Sequence, residues 1–423
     1  MSKIEKVTLD NGLDIYFYLD KKRHSVFFQH ITKFGGVTKD FISNGKTYHI
    51  QDGIAHILEH YIVEENKYGN FLKLLGEAQM STNASTHLDM TRFYFSAVEN
   101  VEFGIRTLLR GIYAPLFDEE RLNRIKGPIY QELRGRANNK FYNLSMKTYD
   151  TIFNQFKFRS VGGTLEEVEK TTLDDLKLCF ETFYQPSNQF IVVGGNFDKD
   201  EILEIIKDEY EKLDIKKVDF EVLKLEEKDE VNNTSYEIEF PTGENYLEVN
   251  YKINLDKYTN DETLKLDFYF NFFFTMFFSL TSPLYNKLVK EEIITDGISC
   301  GLSKINNYVV ITFGAHSSKL DRLKEEITRT IKDLKDFDEE KFELDKKQTI
   351  LGIILREENI GSTVMPFVNN IIMYNCDYPD SVEQIMSYTY EDFVKTMKDI
   401  DFSNYSVGVI KNKEYSLFWL FFF

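Results

Sequence analysis

The order of strand-like and helix-like stretches found before residue 216 recurs after residue 234. In the first half, Val7-Thr8-Leu9 and Leu13-Asp14-Ile15-Tyr16-Phe17-Tyr18 flank Asp10-Asn11-Gly12, the turn chemistry of a hairpin. Another strand is expected at 25–32, then helices at 52–64 and 67–77, strands at 82–86 and 91–96, and a helix at 99–113. Helices at 118–138, 141–157, 173–183 and 198–213 follow, with a buried strand at 190–193. The second half offers strands at 235–240 and 246–253, helices across 259–291, and strands at 298–304 and 307–314. It closes with helices at 317–335, 338–358, 362–373, 379–386 and 390–399 and a strand at 404–410. Elements mixed in this way predict the α+β class: two related domains, each a mixed, mainly antiparallel sheet packed with helices. The charged, glycine-poor stretch 216–234 is the expected linker, between a domain over 1–215 and one over 235–423.

The chemistry gathers in Gly53-Ile54-Ala55-His56-Ile57-Leu58-Glu59-His60. On a helix, with Asp52 as its expected N-cap, His56 and His60 project from one face a turn apart. Two imidazoles so placed can share one metal ion, and Zn²⁺ is the usual occupant. Glu59 stands beside them, where a carboxylate can take a proton from water at the metal. The order H-x-x-E-H is the inverzincin pattern. A lone histidine on such a face is ordinarily a satisfied core residue; the pair with its glutamate, in a chain with only 7 His, favours metal. A third ligand is needed, and on the residues alone Glu119, Glu120 and Glu132 are equivalent candidates. Gly127-Pro128 lies between them, so a kink or restart is expected just before Glu132.

Composition excludes other classes. A net charge of -18 opposes nucleic-acid binding, and an acidic cavity would attract basic peptides. The three cysteines, Cys179, Cys300 and Cys376, form no C-x-x-C pair and suit a reducing compartment. No signal-peptide pattern opens the sequence, and the sparse, unpaired cysteines make a bacterial cytoplasm the expected location. The apolar run 268–280 is too short to span a bilayer and reads as a buried helix. The aromatic end, 417–423, is expected to tuck into a core or an interface.

Several segments in order resemble the pitrilysin/insulinase family of metallopeptidases, in its short, half-length branch of processing peptidases. They are Leu9-Asp10-Asn11-Gly12-Leu13, the His56 to His60 motif, Asn83-Ala84-Ser85-Thr86 and Ile129-Tyr130-Gln131-Glu132. Gly163-Thr164, Tyr184-Gln185-Pro186-Ser187-Asn188, Val192-Val193-Gly194 and the stretch from Ser282 to Leu288 continue the series. The resemblance implies two homologous domains forming half of a clamshell, the first binding zinc and the second without the motif. It implies that His56, His60 and Glu132 hold Zn²⁺, that Glu59 is the general base, and that Asn83, Ala84 and Ser85 lie on an edge strand that pairs with extended peptide.

Two departures carry consequences. Many relatives place a second Glu seven residues before the distal one, where this chain has Ile125. Relatives that act alone or as homodimers carry an Arg and a Tyr, seven apart, that bind the substrate carbonyl and oxyanion; in register, this chain has Val289 and Asp296. The expected assembly is therefore a heterodimer with a half-length relative that supplies Arg and Tyr; the alternatives are an Arg and Tyr pair displaced from this register, or a weakly active homodimer. The competing function is a non-catalytic interaction subunit that keeps a remnant zinc site.

Overall fold

The computed structural model describes residues 4–413 apart from 65, 157–159, 214, 216, 225 and 242. The aromatic stretch 417–423 lies outside the described residues. In chain order the first elements are β1 Ile4–Thr8, β2 Asp14–Leu19, β3 Val26–Thr32, β4 Asp40–Ser43, β5 Lys46–His49, α1 Ile54–Val63 and α2 Phe71–Glu77. Next come β6 Ser81–Thr86, β7 Thr91–Ala97, α3 Val101–Ile112, α4 Glu119–Ala137, α5 Lys140–Ile152, α6 Leu165–Lys170 and α7 Leu173–Phe183. β8 Gln189–Gly195, α8 Lys199–Glu211 and β9 Phe220–Val222 complete this half. The rest are β10 Ser235–Phe240, β11 Tyr246–Asn254, α9 Asn260–Phe278, α10 Pro283–Lys290, β12 Ser299–Ile305 and β13 Tyr308–His316. Finally come α11 Leu320–Asp333, α12 Glu339–Arg356, α13 Ile360–Tyr374, α14 Val382–Met386, α15 Tyr390–Asp399 and β14 Tyr405–Asn412.

The repeat expected from the sequence is present in the strand pairing. One sheet runs β1-β2-β8-β3-β7-β6 and another β10-β14-β11-β13-β12. In the first, β2 and β8 are parallel and the other pairs antiparallel; in the second, β10 and β14 are parallel and the other pairs antiparallel. Both are mixed, mainly antiparallel sheets packed with helices, the α+β architecture.

The chain divides into two compact units that are discontinuous in sequence. One comprises Met1–Gly135, Arg159–Lys224 and Ile353–Asp380; the other comprises Arg136–Phe158, Leu225–Gly352 and Ser381–Phe423. The first unit thus contains α13, and the second contains α5. In the first unit every residue of β3 and β8 is buried, because both sheet faces are covered. Phe28, Ile191 and Val193 face the cluster built by α1, α3, α7 and α8, while Phe27, Ile31, Phe190 and Val192 face α13. In the second unit Leu144 of α5 packs with Tyr236, Tyr246 and Ile410.

Some local expectations are corrected. No restart occurs at Pro128: α4 is one helix from Glu119 to Ala137. The residue before Pro128 is Gly127, whose missing Cβ removes part of the clash that disfavours helix before proline. The stretch read as a linker contributes β9, which pairs with β4. The apolar run 268–280 forms most of α9, with Phe270, Phe272, Phe273, Met276 and Phe278 buried. Among the described residues no helix is long and apolar enough to cross a membrane.

Candidate metal centre

Two glycines set the start of α1. Gly53 adopts φ 88°, and a Cβ there would lie 2.6 Å from the Gly162 carbonyl oxygen; Gly163, at φ 72°, would meet the Asp52 carbonyl oxygen at 2.5 Å. The cap expected of Asp52 is not made. Gly53 is the N-cap residue and no side chain caps the helix, while the buried Asp52 carboxylate pairs with Lys39 Nζ at 2.7 Å. Ile54, Ile57, Leu58, Tyr61 and Ile62 then bury α1 in the core.

The same helix is tied to α4. The Tyr61 hydroxyl donates to the Leu116 carbonyl at 2.7 Å and accepts from the Asp118 N–H at 2.6 Å. Arg124 Nε pairs with Glu64 Oε1 at 2.6 Å. Leu122, Ile125, Ile129 and Leu133 bury one stripe of α4 at helical spacing, so Ile125 is a core residue.

These contacts turn Glu132 towards the histidines. Its Oε2 lies 3.6 Å from His56 Nε2 and 3.8 Å from His60 Nε2. The three ligand atoms fall within 4.8 Å of one another, and the imidazoles meet edge to face at 83°. Zinc bonds of about 2.0–2.1 Å in a tetrahedron separate ligand atoms by about 3.4 Å, so this donor set fits Zn²⁺ with small adjustments. Glu119 and Glu120 are exposed in the first turn of α4, about 18–20 Å along the axis from Glu132. The side chains of His56, His60 and Glu132 are 9%, 32% and 35% exposed, leaving one side open.

Glu59 lies next to the cluster, and its Oε2 accepts a 2.8 Å hydrogen bond from Thr86 Oγ1. Burial pushes its carboxyl up to about 7, and the charge of Glu132 adds to the rise; the Thr86 bond acts against it. A cation bound at the three ligands would favour the carboxylate.

Thr86 ends β6, the outermost strand of its sheet, which pairs with β7 through Ser81↔Ser96 to Thr86↔Thr91. Asn83, Ala84 and Ser85 precede it on that strand. Ala84 packs towards the α1 core, whereas Ser85 Oγ accepts from Arg92 Nε at 2.8 Å and meets His87 Nε2 at 3.1 Å. The roles of Thr86 and Arg92 were not read from the sequence. The strand alternation that puts Thr86 and Ser85 on opposite faces was visible; their partners were not.

In the second unit, Val289 is 42% exposed on α10. Asp296 Oδ2 lies 2.8 Å from His316 Nδ1, and His316 Nε2 lies 3.1 Å from Lys140 Nζ. Neither Val289 nor Asp296 presents the donor that an oxyanion needs.

A family model described as the peptidase M16 inactive domain matches residues 170–351, a span that excludes all four residues of the cluster. The chain is 26% identical over 398 residues to the "Uncharacterized zinc protease YmfH" of Bacillus subtilis, covering 92% of each. It is 24% identical over 226 residues to "Zinc protease PqqE" of Helicobacter pylori, covering 50% of this chain and 48% of the relative. Among solved structures, a putative M16-like peptidase from Alicyclobacillus acidocaldarius superposes with TM-score 0.89 at 24% identity, over 97% of this chain and 98% of that one. Pitrilysin superposes with TM-score 0.73 at 19% identity, over 98% of this chain and 45% of its own.

Proposed function

The chain belongs to the pitrilysin/insulinase family of M16 peptidases, in its half-size form, and we propose that it is a zinc-dependent endopeptidase. The observation that carries this reading is the convergence of His56, His60 and Glu132 beside the buried carboxylate of Glu59. His56 and His60 would give imidazole nitrogens and Glu132 a carboxylate oxygen to Zn²⁺. When bound, the ion supplies a Lewis acid that polarises a carbonyl and makes water acidic near neutral pH.

The protein groups do the rest. Asn83, Ala84 and Ser85 would take extended peptide along the open edge of β6 by backbone hydrogen bonds, which hold any sequence. Thr86 holds Glu59 at the end of that strand. The Glu59 carboxylate accepts a proton from the attacking water and returns it to the leaving amine nitrogen as the C–N bond breaks.

Oxyanion stabilisation is the missing half. Val289 and Asp296 supply none, which supports a heterodimer in which a half-length relative contributes Arg and Tyr. The reading is tested with a quenched basic peptide of about ten to twenty residues, long enough to lie along an edge strand. The zinc-loaded chain is assayed alone and mixed with such a relative, with zinc measured on the same samples. Hydrolysis only in the mixture supports the heterodimer, and strong hydrolysis by the chain alone overturns it. Bound zinc without hydrolysis in either sample overturns the peptidase and favours the interaction subunit.

A further inference from the structure

Along β6, Thr86 faces the α1 side, where it reaches Glu59, and Ser85 faces the α13 side, opposite Arg92 of β7. The Arg92 guanidinium is half-buried there. Its Nε donates to Ser85 Oγ at 2.8 Å, its Nη1 to Met365 Sδ of α13 at 2.6 Å, and it lies 5.3 Å from the centre of the Tyr94 ring. None of these partners is anionic, a thioether is a weak acceptor, and no carboxylate of the described residues pairs with Arg92. A buried charge without a counter-charge is costly unless something supplies one.

We propose that Arg92 is a specificity-determining residue that receives a carboxylate of the peptide laid along β6. The proposal rests on the edge-strand peptidase reading above. The Nε bond carries the guanidinium over Ser85, so only one strand spacing, about 4.8 Å, separates it from an added strand. Cross-strand neighbours share a face, so the residue falling opposite Ser85 points its side chain to the Arg92 side. That residue is adjacent to the one opposite Thr86, and hence close to the bond presented to Glu59. Desolvation and the Arg92 charge lower the pKa of His87, the other side chain on Ser85, so Arg92 is the permanent positive charge at this position. A side-chain carboxylate and a C-terminal carboxylate present the same chemistry.

The test is binding of labelled decapeptides to the zinc-loaded full chain carrying Glu59→Gln, read by anisotropy. Glu, Gln or Lys is scanned through each position, with the C-terminus free or amidated. Glu at one position should bind about tenfold tighter than Gln. Arg92→Gln should remove the gain, and Arg92→Lys, which keeps the charge and guards against a folding defect, should keep part of it. A gain that follows the free C-terminus and is lost in Arg92→Gln makes the terminal carboxylate the ligand. Equal binding of Glu and Gln peptides with no effect of the free C-terminus, a preference that survives Arg92→Gln, or no binding at all overturns the proposal. Hydrolysis by the parent chain, alone and mixed with the half-length relative, is read separately: an Arg92-dependent preference without hydrolysis in either sample leaves the Arg92 site standing and overturns the peptidase reading.

Discussion

Thr86 and Glu59 are 27 residues apart in sequence, yet the Thr86 hydroxyl donates to Glu59 Oε2 at 2.8 Å. The edge strand and the buried carboxylate are therefore one device: the last residue of β6 holds the group beside the histidines. Thr86→Val keeps the shape and removes the donor. Turnover of a model peptide should fall about tenfold at unchanged zinc content, because a hydrogen bond to a charged group contributes roughly 1.5–3 kcal/mol. Thr86→Ser should restore most of it; equal rates for valine and threonine would show that the bond has no part in the reaction.

Glu59→Gln retains size and removes the proton acceptor. It should bind zinc as the parent does and lose roughly 10²–10⁴-fold in kcat. Zinc is read by mass spectrometry and rate by peptide cleavage. A parent-like rate would assign the proton transfer elsewhere.

His56→Ala and Glu132→Ala should each weaken zinc binding by at least the roughly 10–100-fold that loss of an outer partner costs. Glu119→Ala and Glu120→Ala, at the far end of α4, should not. Competition with a fluorescent chelator measures all four, and stoichiometric, tight zinc in both ligand variants would undo the assignment.

The crossing of Gly53 and Gly163 predicts a coupled loss of stability and metal. Gly163→Ala adds a Cβ 2.5 Å from the Asp52 carbonyl oxygen at φ 72°. It should cost roughly 1–3 kcal/mol and weaken zinc binding by shifting the start of α1. Gly45→Ala, at φ 75° with open space around it, carries backbone strain alone and is the control. Thermal melts with zinc titration separate the two.

Acid should weaken the fold through two overlapping titrations. His30, fully buried on β3 beside the Tyr210 hydroxyl, has its pKa pushed down to about 3 by burial. The unfolded chain takes this proton near 6.5, so stability is fully present above 6.5 and falls towards 3, by up to about 1.4 kcal/mol per pH unit. For Glu227 burial alone would raise the pKa, but N–H donors of Asn154, Gln155 and Phe156 together with Lys252 hold it down at about 2. Its contribution is complete above 4.5 and lost between 4.5 and 2. Urea melts against pH should lose the upper slope in His30→Gln and the lower one in Glu227→Gln.

Much of this was legible because it is local. The four-residue spacing of His56 and His60 is a property of any helix, and the alternation around Asn11-Gly12 predicts the β1–β2 hairpin. The second set of strands and helices announced the duplicated sheet. The short strands β4 and β5 form a local hairpin closed by Asn44-Gly45, whose turn chemistry was present in the sequence and was not read. The three-residue β9 was not legible, because its pairing with β4 joins residues about 180 positions apart and leaves no period to read. Asp52 had the right residue type for a cap, but the close approach of Gly162 and Gly163 required a left-handed Gly53 there instead.

The sequence by itself determined the imidazole pair, its glutamate and the duplicated order of elements, because helix and strand periods act over a few residues. Which acidic residue of α4 joins the histidines stayed open on the residues alone; the family resemblance pointed to Glu132, and the physical reason lies in three dimensions. Tyr61, Arg124 and the buried stripe of α4 set the rotation and height of that helix, bringing Glu132 in and leaving Glu119 and Glu120 in solvent. The same holds for Arg92. That no carboxylate of the described residues pairs with it depends on distances that only the folded chain fixes.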